Sequence, residues 1–449
     1  PNRVRTRPDG RTVVDVFPVT GYDRLLFAGI SAQVWMQDGV TPNSLPSTLG
    51  TFYRAADSQG RVAVVLGAGN ISSIGPLDVL YKLIADGAVC LLKLNPVNEY
   101  LKPILIEALA PLVREGFLRV VRGGDEVGRE LCAHPLVDEI HITGSERTHD
   151  AIVFGEGPDA AERKSRNDPV LTKRITSELG NVSPTIVVPG PWSSGDFRFQ
   201  AEHILTQKLH NGGFNCIAAQ VLVLPSDWNG TPRLLAQIER LARALPSRPQ
   251  YYPGAHERHA ALIAGREASS GAATVAYADR GDVGFVKEAF CDVLLVTTIP
   301  GSLEHYLERA VGFANNDLAG TLGANLIVHP ATARRNAGAL DRAIDELRYG
   351  CIGVNVWTGV GYFLAETPWG AYPGGRLDAI GSGIDVVHNA HLFSRSLKSV
   401  IRGPFRPFPR PAWFVTNRNA QRLGAALCAF EAAPSVIGAA RIAALAVRG

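Results

Sequence analysis

The sequence predicts an α/β protein built on two parallel β-sheets, and three observations support this prediction. Short apolar runs alternate with amphipathic helical patterns, the links between them are short, and the alternation occurs in two separate series. Alternating strands and helices form βαβ units, whose right-handed crossovers produce parallel sheets. With 449 residues, of which 46% are hydrophobic and 19% charged, the chain can build more than one core and is too apolar to be disordered.

The first series follows a stretch, residues 1–60, that is expected to be irregular because turn-forming residues surround Thr41-Pro42. Apolar runs predict strands over 62–67, 89–93, 119–121 and 139–143. Apolar faces with helical spacing predict helices between them, over 76–86, 103–115 and 127–132.

The second series follows a boundary expected near residues 175–185. Strands are predicted over 183–188, 219–224, 293–298, 323–328 and 353–356, and helices over 199–210, 233–244, 303–314 and 332–346. Beyond this series, segment 359–376 is rich in glycine, proline and aromatic residues and is predicted to be a loop. The proline-rich residues 403–411 predict an extended arm.

Composition and charge exclude several classes of function. The formal net charge is +3, from 45 basic and 42 acidic residues without a block of like charge, so no nucleic-acid partner is predicted. The alanine-rich tail, residues 424–447, contains Glu431, Pro434 and Arg441. These residues favour a packed or exposed helix over a membrane span.

The cysteines and histidines indicate neither a disulfide framework nor a metal site. The six cysteines form no C-x-x-C motif, and a reducing, cytoplasmic location is expected. Two histidine pairs, His256/His259 and His388/His391, have no evident third ligand, so no metal is predicted. The sequence opens on Pro1 without an initiator methionine or signal peptide, and we expect that an upstream stretch is missing or was removed.

Four positions at the ends of predicted elements could carry chemistry. Cys216 lies between a helix and an apolar strand, among glycines that admit a ligand, and is a candidate nucleophile or an inert buried thiol. Glu178 precedes a glycine turn at the domain boundary and is a candidate general base or a solvated carboxylate. Asn70 follows the first strand and is a candidate oxyanion donor or a turn residue. Gly144 and Ser145 form a strand-to-helix turn that could hold a phosphate on backbone N–H groups, or be an ordinary turn with a serine cap.

Taken in order, these motifs resemble the aldehyde dehydrogenase superfamily from about residue 61 to about residue 375. The matching segments are Gly69-Asn70, Leu91-Leu-Lys93, Ile142-Thr-Gly-Ser145, Glu178-Leu-Gly-Asn-Val-Ser-Pro184, Asn211-Gly-Gly-Phe-Asn-Cys216, Lys287-Glu-Ala-Phe290, and the pair Gly353-Val-Asn355 with Pro368-Trp-Gly370. The resemblance implies an aldehyde-dehydrogenase-like fold, with two Rossmann-like domains and the active site in the cleft between them.

The resemblance also implies a reaction: NAD- or NADP-dependent oxidation of an aldehyde to a carboxylic acid. In it, Cys216 forms a thiohemiacetal and then a thioester, Asn70 stabilises the oxyanion, and Glu178 activates water. The residues implied to bind the cofactor are Lys93, Gly144, Ser145, Glu288 and Phe290. The partner implied is a small aldehyde, and a homo-oligomer, a dimer or tetramer, is expected by analogy.

Several positions depart from the family pattern. Pro96 stands where a ribose-binding glutamate is common, which leaves NADP open, and Asn95-Pro96 faintly resembles the CoA-acylating branch. That branch usually lacks the base, so Glu178 favours hydrolysis. Asn181 replaces the second glycine of its motif, and the usual proline of the E-x-F-G-P run is replaced, since Cys291-Asp292 follows Phe290. A CoA-acylating aldehyde dehydrogenase or acyl-CoA reductase, and an inactive structural relative, are the alternatives.

The resemblance divides the chain into three parts. Residues 1–180 are expected to be a cofactor-binding domain with a shortened N-terminal part, and residues 181–358 a catalytic domain. Residues 359–449 are expected to hold a closing loop and an extension that packs partly on the cofactor domain. Phe214, Trp357, Tyr362 and Phe363 could line a channel for an apolar aldehyde or belong to the core, and composition leaves both open.

Overall fold

Two β-sheets organise the computed structural model, which describes residues 3–55 and 59–448. In chain order the strands are β1 (Val4–Thr6), β2 (Thr12–Phe17), β3 (Ser31–Met36), β4 (Arg61–Leu66), β5 (Ala88–Lys93), β6 (Leu118–Val121), β7 (Glu139–Gly144), β8 (Arg174–Leu179), β9 (Ser183–Val187), β10 (Ala219–Pro225), β11 (Ala268–Ser269), β12 (Thr274–Tyr277), β13 (Val293–Ile299), β14 (Gly323–Ile327), β15 (Cys351–Val354), β16 (Trp369–Gly370), β17 (Gly383–Ile384), β18 (Val386–Val387) and β19 (Ser396–Arg402).

The helices cover these sheets and connect their strands. In chain order they are α1 (Gly21–Leu26), α2 (Ile74–Ala85), α3 (Lys102–Ala108), α4 (Ala110–Arg114), α5 (Asp125–Ala133), α6 (Glu146–Phe154), α7 (Ala160–Arg166), α8 (Ser194–Leu209), α9 (Gly230–Ala244), α10 (Ala255–Ile263), α11 (Leu303–Asn316), α12 (Pro330–Arg335), α13 (Ala337–Glu346), α14 (Gly359–Phe363), α15 (Ala420–Ala432) and α16 (Val436–Val447). No helix in the described ranges combines the length and the hydropathy required to cross a bilayer.

The smaller sheet has the order β17-β8-β7-β4-β5-β6, and β8, β7, β4, β5 and β6 run parallel. Its central strands β4 and β5 are largely apolar because helices cover both faces. Val65 and Leu92 belong to the core on one face, and Val64 and Ile142 to the core on the other. This sheet holds the first predicted series, and β17 adds an antiparallel edge strand from the C-terminal part of the chain.

The larger sheet has the order β1-β2-β3-β19-β15-β14-β9-β10-β13-β12-β11. Its centre, from β15 to β12, is parallel and holds the second predicted series. The outer strands β1, β2 and β3 are antiparallel, and β3 pairs with β19. Segments from both ends of the described chain therefore complete one sheet.

The two-sheet α/β architecture and every element of both series are confirmed within a few residues. Two of the predicted helices are each divided into two, as α3 with α4 and α12 with α13. The prediction of an irregular stretch over residues 1–60 is wrong, because it contains β1, β2 and β3. These strands join the larger sheet, whereas the prediction placed them with the cofactor-binding domain.

The C-terminal segment contacts both sheets. β17 pairs with β8 of the smaller sheet, while β19 pairs with β15 of the larger sheet. Helices α15 and α16 pack on each other and on α1, around Phe430 and Tyr22, whose rings lie 5.1 Å apart. No local pattern in the sequence predicts β8, β12 or β19.

Candidate active site

The carboxyl ends of the parallel strands meet at one edge of the smaller sheet. The register aligns Leu66 of β4 with Lys93 of β5 and with Ile142 of β7. It also aligns Thr143 of β7 with Glu178 of β8. Ligands of open parallel sheets bind beyond the carboxyl ends of the strands, so the candidate residues of this domain lie along the edge where a site is expected.

Cys216 lies on a loop of the larger sheet, between α8 and β10. A helical turn, His210–Gly213, follows α8, and Asn211 in this turn adopts a positive φ of 53°. Cys216 is partly exposed, and its carbonyl accepts a hydrogen bond from the Ser183 hydroxyl at 3.4 Å. The thiol is therefore held by the sheet but not sealed in the core, as a nucleophile requires.

Replacing Gly213 by alanine is expected to destabilise the protein by about 1–3 kcal/mol. Its φ is +89°, and an added Cβ would collide with the Cys291 carbonyl. Gly128→Ala in α5 is the matched control, because a Cβ there meets nothing within 4 Å and should stabilise by about 0.4–1 kcal/mol. Urea unfolding measures both changes, and equal effects would contradict this tight packing of the Cys216 loop.

The Asn70 amide connects the smaller domain to the Cys216 loop. Its Nδ2 donates to the Phe214 carbonyl at 3.0 Å, and Asn211 Nδ2 donates to the Asn70 carbonyl at 2.8 Å. An amide has two N–H groups, so Asn70 retains one further donor. The Tyr251 hydroxyl lies 3.1 Å from both the Asn70 carbonyl and Asn211 Oδ1. Sequence reasoning missed Tyr251, since only the fold brings it here.

The Glu178 carboxyl is buried, with 3% of the residue exposed. Burial, and then the negative charge of Asp78, raise its pKa to about 8, although the nearby Cys216 thiol and Trp369 indole lower it in part. Burial and the Glu178 charge likewise raise the pKa of Cys216 well above its ordinary value. The two groups therefore lie close together, although no hydrogen bond of normal length and angle joins them among the described residues.

Glu288 and Phe290 lie on the far side of the Glu178 turn. The Asn181 N–H donates to Glu288 Oε1 at 3.4 Å, and a Cβ on Gly180 would collide with the same carboxyl. Burial raises the pKa of Glu288 to about 7, against the effect of this N–H. Phe290 packs 4.9 Å from the Tyr252 ring, with a φ of 39°.

Asn181 fits where the family pattern has glycine. Its Nδ2 donates to Ser183 Oγ at 2.8 Å and to the Gly323 carbonyl at 2.9 Å, and its carbonyl accepts from Gln220. The larger residue thus ties the start of β9 to β14. The turn after Glu178 is kept in place by these bonds.

The three remaining candidates could hold a phosphorylated cofactor. Lys93 is the last residue of β5, is 8% exposed, and has no carboxylate within 4 Å among residues 3–55 and 59–448. Gly144 and Ser145 are exposed between β7 and α6, where the Ser145 hydroxyl accepts the Thr148 N–H at 3.2 Å. An ammonium and an exposed helix N-terminus at the carboxyl edge of one sheet fit the chemistry of a dinucleotide.

Two of the four channel candidates belong to the core. Phe214 and Trp357 are buried, and the Trp357 indole donates to the Ile217 carbonyl at 3.0 Å. Phe363 is 59% exposed, and only Tyr362 stands half-buried near Cys216 and Glu178. A cavity of about 980 Å³ lies elsewhere, at the ends of β12 and β13, and includes none of the candidate residues.

One cluster of metal-ligating atoms lies beneath the Cys216 loop. The ligand atoms of His259, Cys291 and Asp292 lie within 4.8 Å of one another. His259 Nδ1 and Asp292 Oδ1 are 2.6 Å apart, a hydrogen-bonding distance that already pairs them. Burial lowers the pKa of the adjacent Lys208, and the charges of Cys291 and Asp292 partly offset this lowering. The cluster is thus accounted for as a hydrogen-bonded support of the loop.

Comparison with known proteins matches residues 62–267 to the model of the aldehyde dehydrogenase family. This part of the chain is similar to the aldehyde dehydrogenase family. Among its relatives, aldehyde dehydrogenase LUC3 of Fusarium sp is 28% identical over 168 residues, which are 37% of this chain and 32% of the relative. The 4-trimethylaminobutyraldehyde dehydrogenase B of Danio rerio is 36% identical over 109 residues, or 23% of this chain and 18% of the relative.

Solved structures show the same aldehyde dehydrogenase fold. A mutant of aldehyde dehydrogenase C from Pseudomonas syringae, in complex with NAD+ and octanal, has a TM-score of 0.57 at 19% identity, covering 87% of this chain and 72% of that one. The 3,6-anhydro-L-galactose dehydrogenase has a TM-score of 0.58 at 16% identity, covering 89% and 74%. The matched segments span about a third or less of the lengths of the first curated relatives.

Proposed function

We propose that this chain is an aldehyde dehydrogenase, which oxidises an aldehyde to a carboxylic acid with a nicotinamide cofactor. The observation that supports this proposal is the convergence of three groups from both sheets. The Asn70 amide is bonded to the Cys216 loop at 3.0 Å, and the Cys216 thiol and the Glu178 carboxyl perturb each other's pKa. A nucleophile, a base and an oxyanion donor in one place suit acyl chemistry.

In the proposed reaction the Cys216 sulfur forms a bond to the aldehyde carbon, the carbonyl π electrons move to oxygen, and the thiol proton passes to solvent water. The Asn70 amide and the Cys216 backbone N–H stabilise the oxyanion of the thiohemiacetal. An oxidised nicotinamide, when bound, supplies the hydride acceptor for this adduct. Glu178 then takes a proton from water, whose oxygen attacks the thioester, releasing the carboxylic acid and restoring the thiol.

We propose Lys93, Gly144, Ser145, Glu288 and Phe290 as the cofactor-binding residues, with NAD favoured over NADP. The loss of a ribose-binding carboxylate at Pro96 leaves room for a 2′-phosphate. However, the Asp125 and Glu99 charges act on Lys93 and partly offset the lowering of its pKa by burial. Two carboxylates near the ammonium oppose a further phosphate charge.

We further propose a small-molecule aldehyde as the substrate, and a dimer or tetramer of this chain by analogy with the family. The six cysteines are free, which fits the reducing environment of the cytoplasm. Size-exclusion chromatography with light scattering tests the proposed assembly.

An aldehyde panel with NAD or NADP, with and without CoA, tests the function. We expect acid formation without CoA, with kcat/KM at least about tenfold higher for NAD, which corresponds to about 1.4 kcal/mol. Product formation only with CoA would assign the chain to the acylating branch. Failure to bind either nicotinamide by titration calorimetry would make it an inactive relative.

A further inference from the structure

The face of the smaller sheet beneath α2 changes from apolar to polar along the sheet. Under the first part of this helix, β4 and β5 present Val65 and Leu92 to the core. The neighbouring strands instead present four buried polar side chains to the same face: His141 and Thr143 on β7, and Thr176 and Glu178 on β8. The candidate base is thus the last member of a buried polar row.

The charges at the beginning of this row are balanced. Lys82 Nζ of α2 lies 2.7 Å from Asp86 and 3.2 Å from Glu139. Glu139 also contacts Arg61 at 2.9 Å and Arg174 at 3.1 Å. Each carboxylate at this end therefore has at least one cation beside it.

Asp78, one helical turn before Lys82, has no such balance. It is fully buried, and its Oδ2 accepts from the Thr143 hydroxyl at 2.9 Å and lies 3.5 Å from His141 Nε2. Its Oδ1 has no hydrogen-bond partner in the described part of the chain. Thr143 is the register partner of Glu178, so Asp78 lies next to the base, and within residues 3–55 and 59–448 no lysine or arginine forms an ion pair with it.

We propose that Asp78 is a positioning residue for Glu178: held by Thr143 and His141, it sets the pH at which the Glu178 carboxyl gives up its proton. This proposal rests on the proposed function insofar as Glu178 is the base. A buried negative charge beside a second carboxyl favours the neutral form of that carboxyl. Together with burial, which is the larger cause, the Asp78 charge therefore favours the protonated form of Glu178 in the resting protein and delays water activation to higher pH.

Other groups also face this pair, and the experiment must separate them from Asp78. The Asp78 charge is the second cause, after burial, of the raised pKa of Glu178. The His141 ring also contacts Thr176 at 2.9 Å. The titratable and polar groups that face Glu178 or Asp78 from the surrounding elements are Cys216, Glu288, Tyr362, Trp369, His141 and His388.

The test is the pH dependence of Cys216 alkylation by iodoacetamide, measured on the Cys216 peptide by mass spectrometry. Because the ionised Glu178 raises the pKa of the thiol, the profile should break where Glu178 titrates, near pH 8. Asp78→Asn keeps the shape and removes the charge, so the break should move down by about one pH unit. Asp86→Asn is the matched control on the same helix and should leave the break in place.

Hydrolysis of p-nitrophenyl acetate is the second readout. The ester acylates Cys216, releases p-nitrophenol and leaves a thioester for water to cleave, without cofactor or aldehyde. The acidic limb of the pH–rate profile for ester hydrolysis should shift by the same amount as the break in the alkylation profile. A folded Asp78→Asn protein with unchanged profiles would overturn the proposal. If the Asp78→Asn variant does not fold, Thr143→Val is the substitute test. Loss of the hydrogen bond to Asp78 should then shift the alkylation break in the same direction, but by a smaller amount. An unshifted break in Thr143→Val would reject the proposal.

The two proposals fail in distinguishable ways. A protein that oxidises no aldehyde, yet shows the shifted alkylation break in Asp78→Asn, would lose the proposed function and keep the Asp78–Glu178 coupling. A protein that oxidises aldehydes with unshifted profiles would keep the function and lose the coupling.

Discussion

Replacing Cys216 by alanine is expected to lower aldehyde oxidation by about a thousandfold or more, because the thioester that carries the acyl group can no longer form. Nicotinamide binding should remain within about twofold, since three of the five candidate cofactor residues, Lys93, Gly144 and Ser145, are carried by the other sheet. Initial rates with excess cofactor measure the first effect, and fluorescence titration of the reduced cofactor measures the second.

Cys428→Ala is the matched control for this variant. Cys428 is exposed on α15, where no candidate site residue lies, so its loss should leave turnover unchanged. Oxidation that persists in the Cys216→Ala protein would reject Cys216 as the nucleophile. Equal loss in both cysteine variants would point to unfolding or oxidation and would equally contradict the assigned role.

Replacing Glu178 by glutamine is expected to separate the two halves of the reaction. Steady-state turnover should fall by about 10²–10⁴-fold, the usual contribution of a general base. A burst of about one reduced cofactor per Cys216 should remain, because its amplitude depends on the thiol and not on water activation. Rapid-mixing absorbance of the reduced nicotinamide measures both quantities in one experiment.

The pH dependence of turnover follows from the same carboxyl. Only the ionised form of Glu178 accepts a proton from water, and burial raises its pKa from 4.5 to about 8. The hydrolytic rate of the native protein should therefore rise with pH up to about 8, and this limb should be absent in the glutamine variant. A limb near pH 4–5 would contradict the buried position of Glu178. If added CoA restored the turnover of the Glu178→Gln variant, and water concentration did not change its rate, the acyl group would be transferred to a thiol instead of to water.

The strands and helices that have a clear local hydrophobic pattern can be predicted from the sequence alone. The alternation of apolar strands and amphipathic helices predicts β4 to β7 and β9 to β15 apart from β11 and β12, since buried parallel strands consist of continuous apolar residues. β3 (Ser31–Met36) and β19 (Ser396–Arg402) carry mixed patterns, and each is stabilised by its partner in the other half of the chain. No local signal encodes a pairing between residues so far apart.

The site shows the same division. Cys216, Glu178 and Asn70 were found because they occupy recognisable motifs beside glycines. The sequence does not mark Asp78 as a site residue, because an aspartate within a helix is ordinarily solvent-exposed. Only the packing of α2 on β7 makes Asp78 a buried neighbour of the base. The position of Tyr251 at the site could likewise not be predicted from the sequence, since its partners Asn70 and Asn211 are distant in the chain.

The pairing of β3 with β19 has a consequence for how this protein is made. About 360 residues separate Met36 from Ser396, and at 5–20 residues per second the ribosome needs roughly 20–70 s to synthesise them. Throughout that interval one edge of β3 lacks its backbone partner, and its N–H and C=O groups are open to pairing with another strand. The nascent polypeptide must therefore be guarded against edge-to-edge association, by a chaperone or by its own early layers, until translation has passed Arg402.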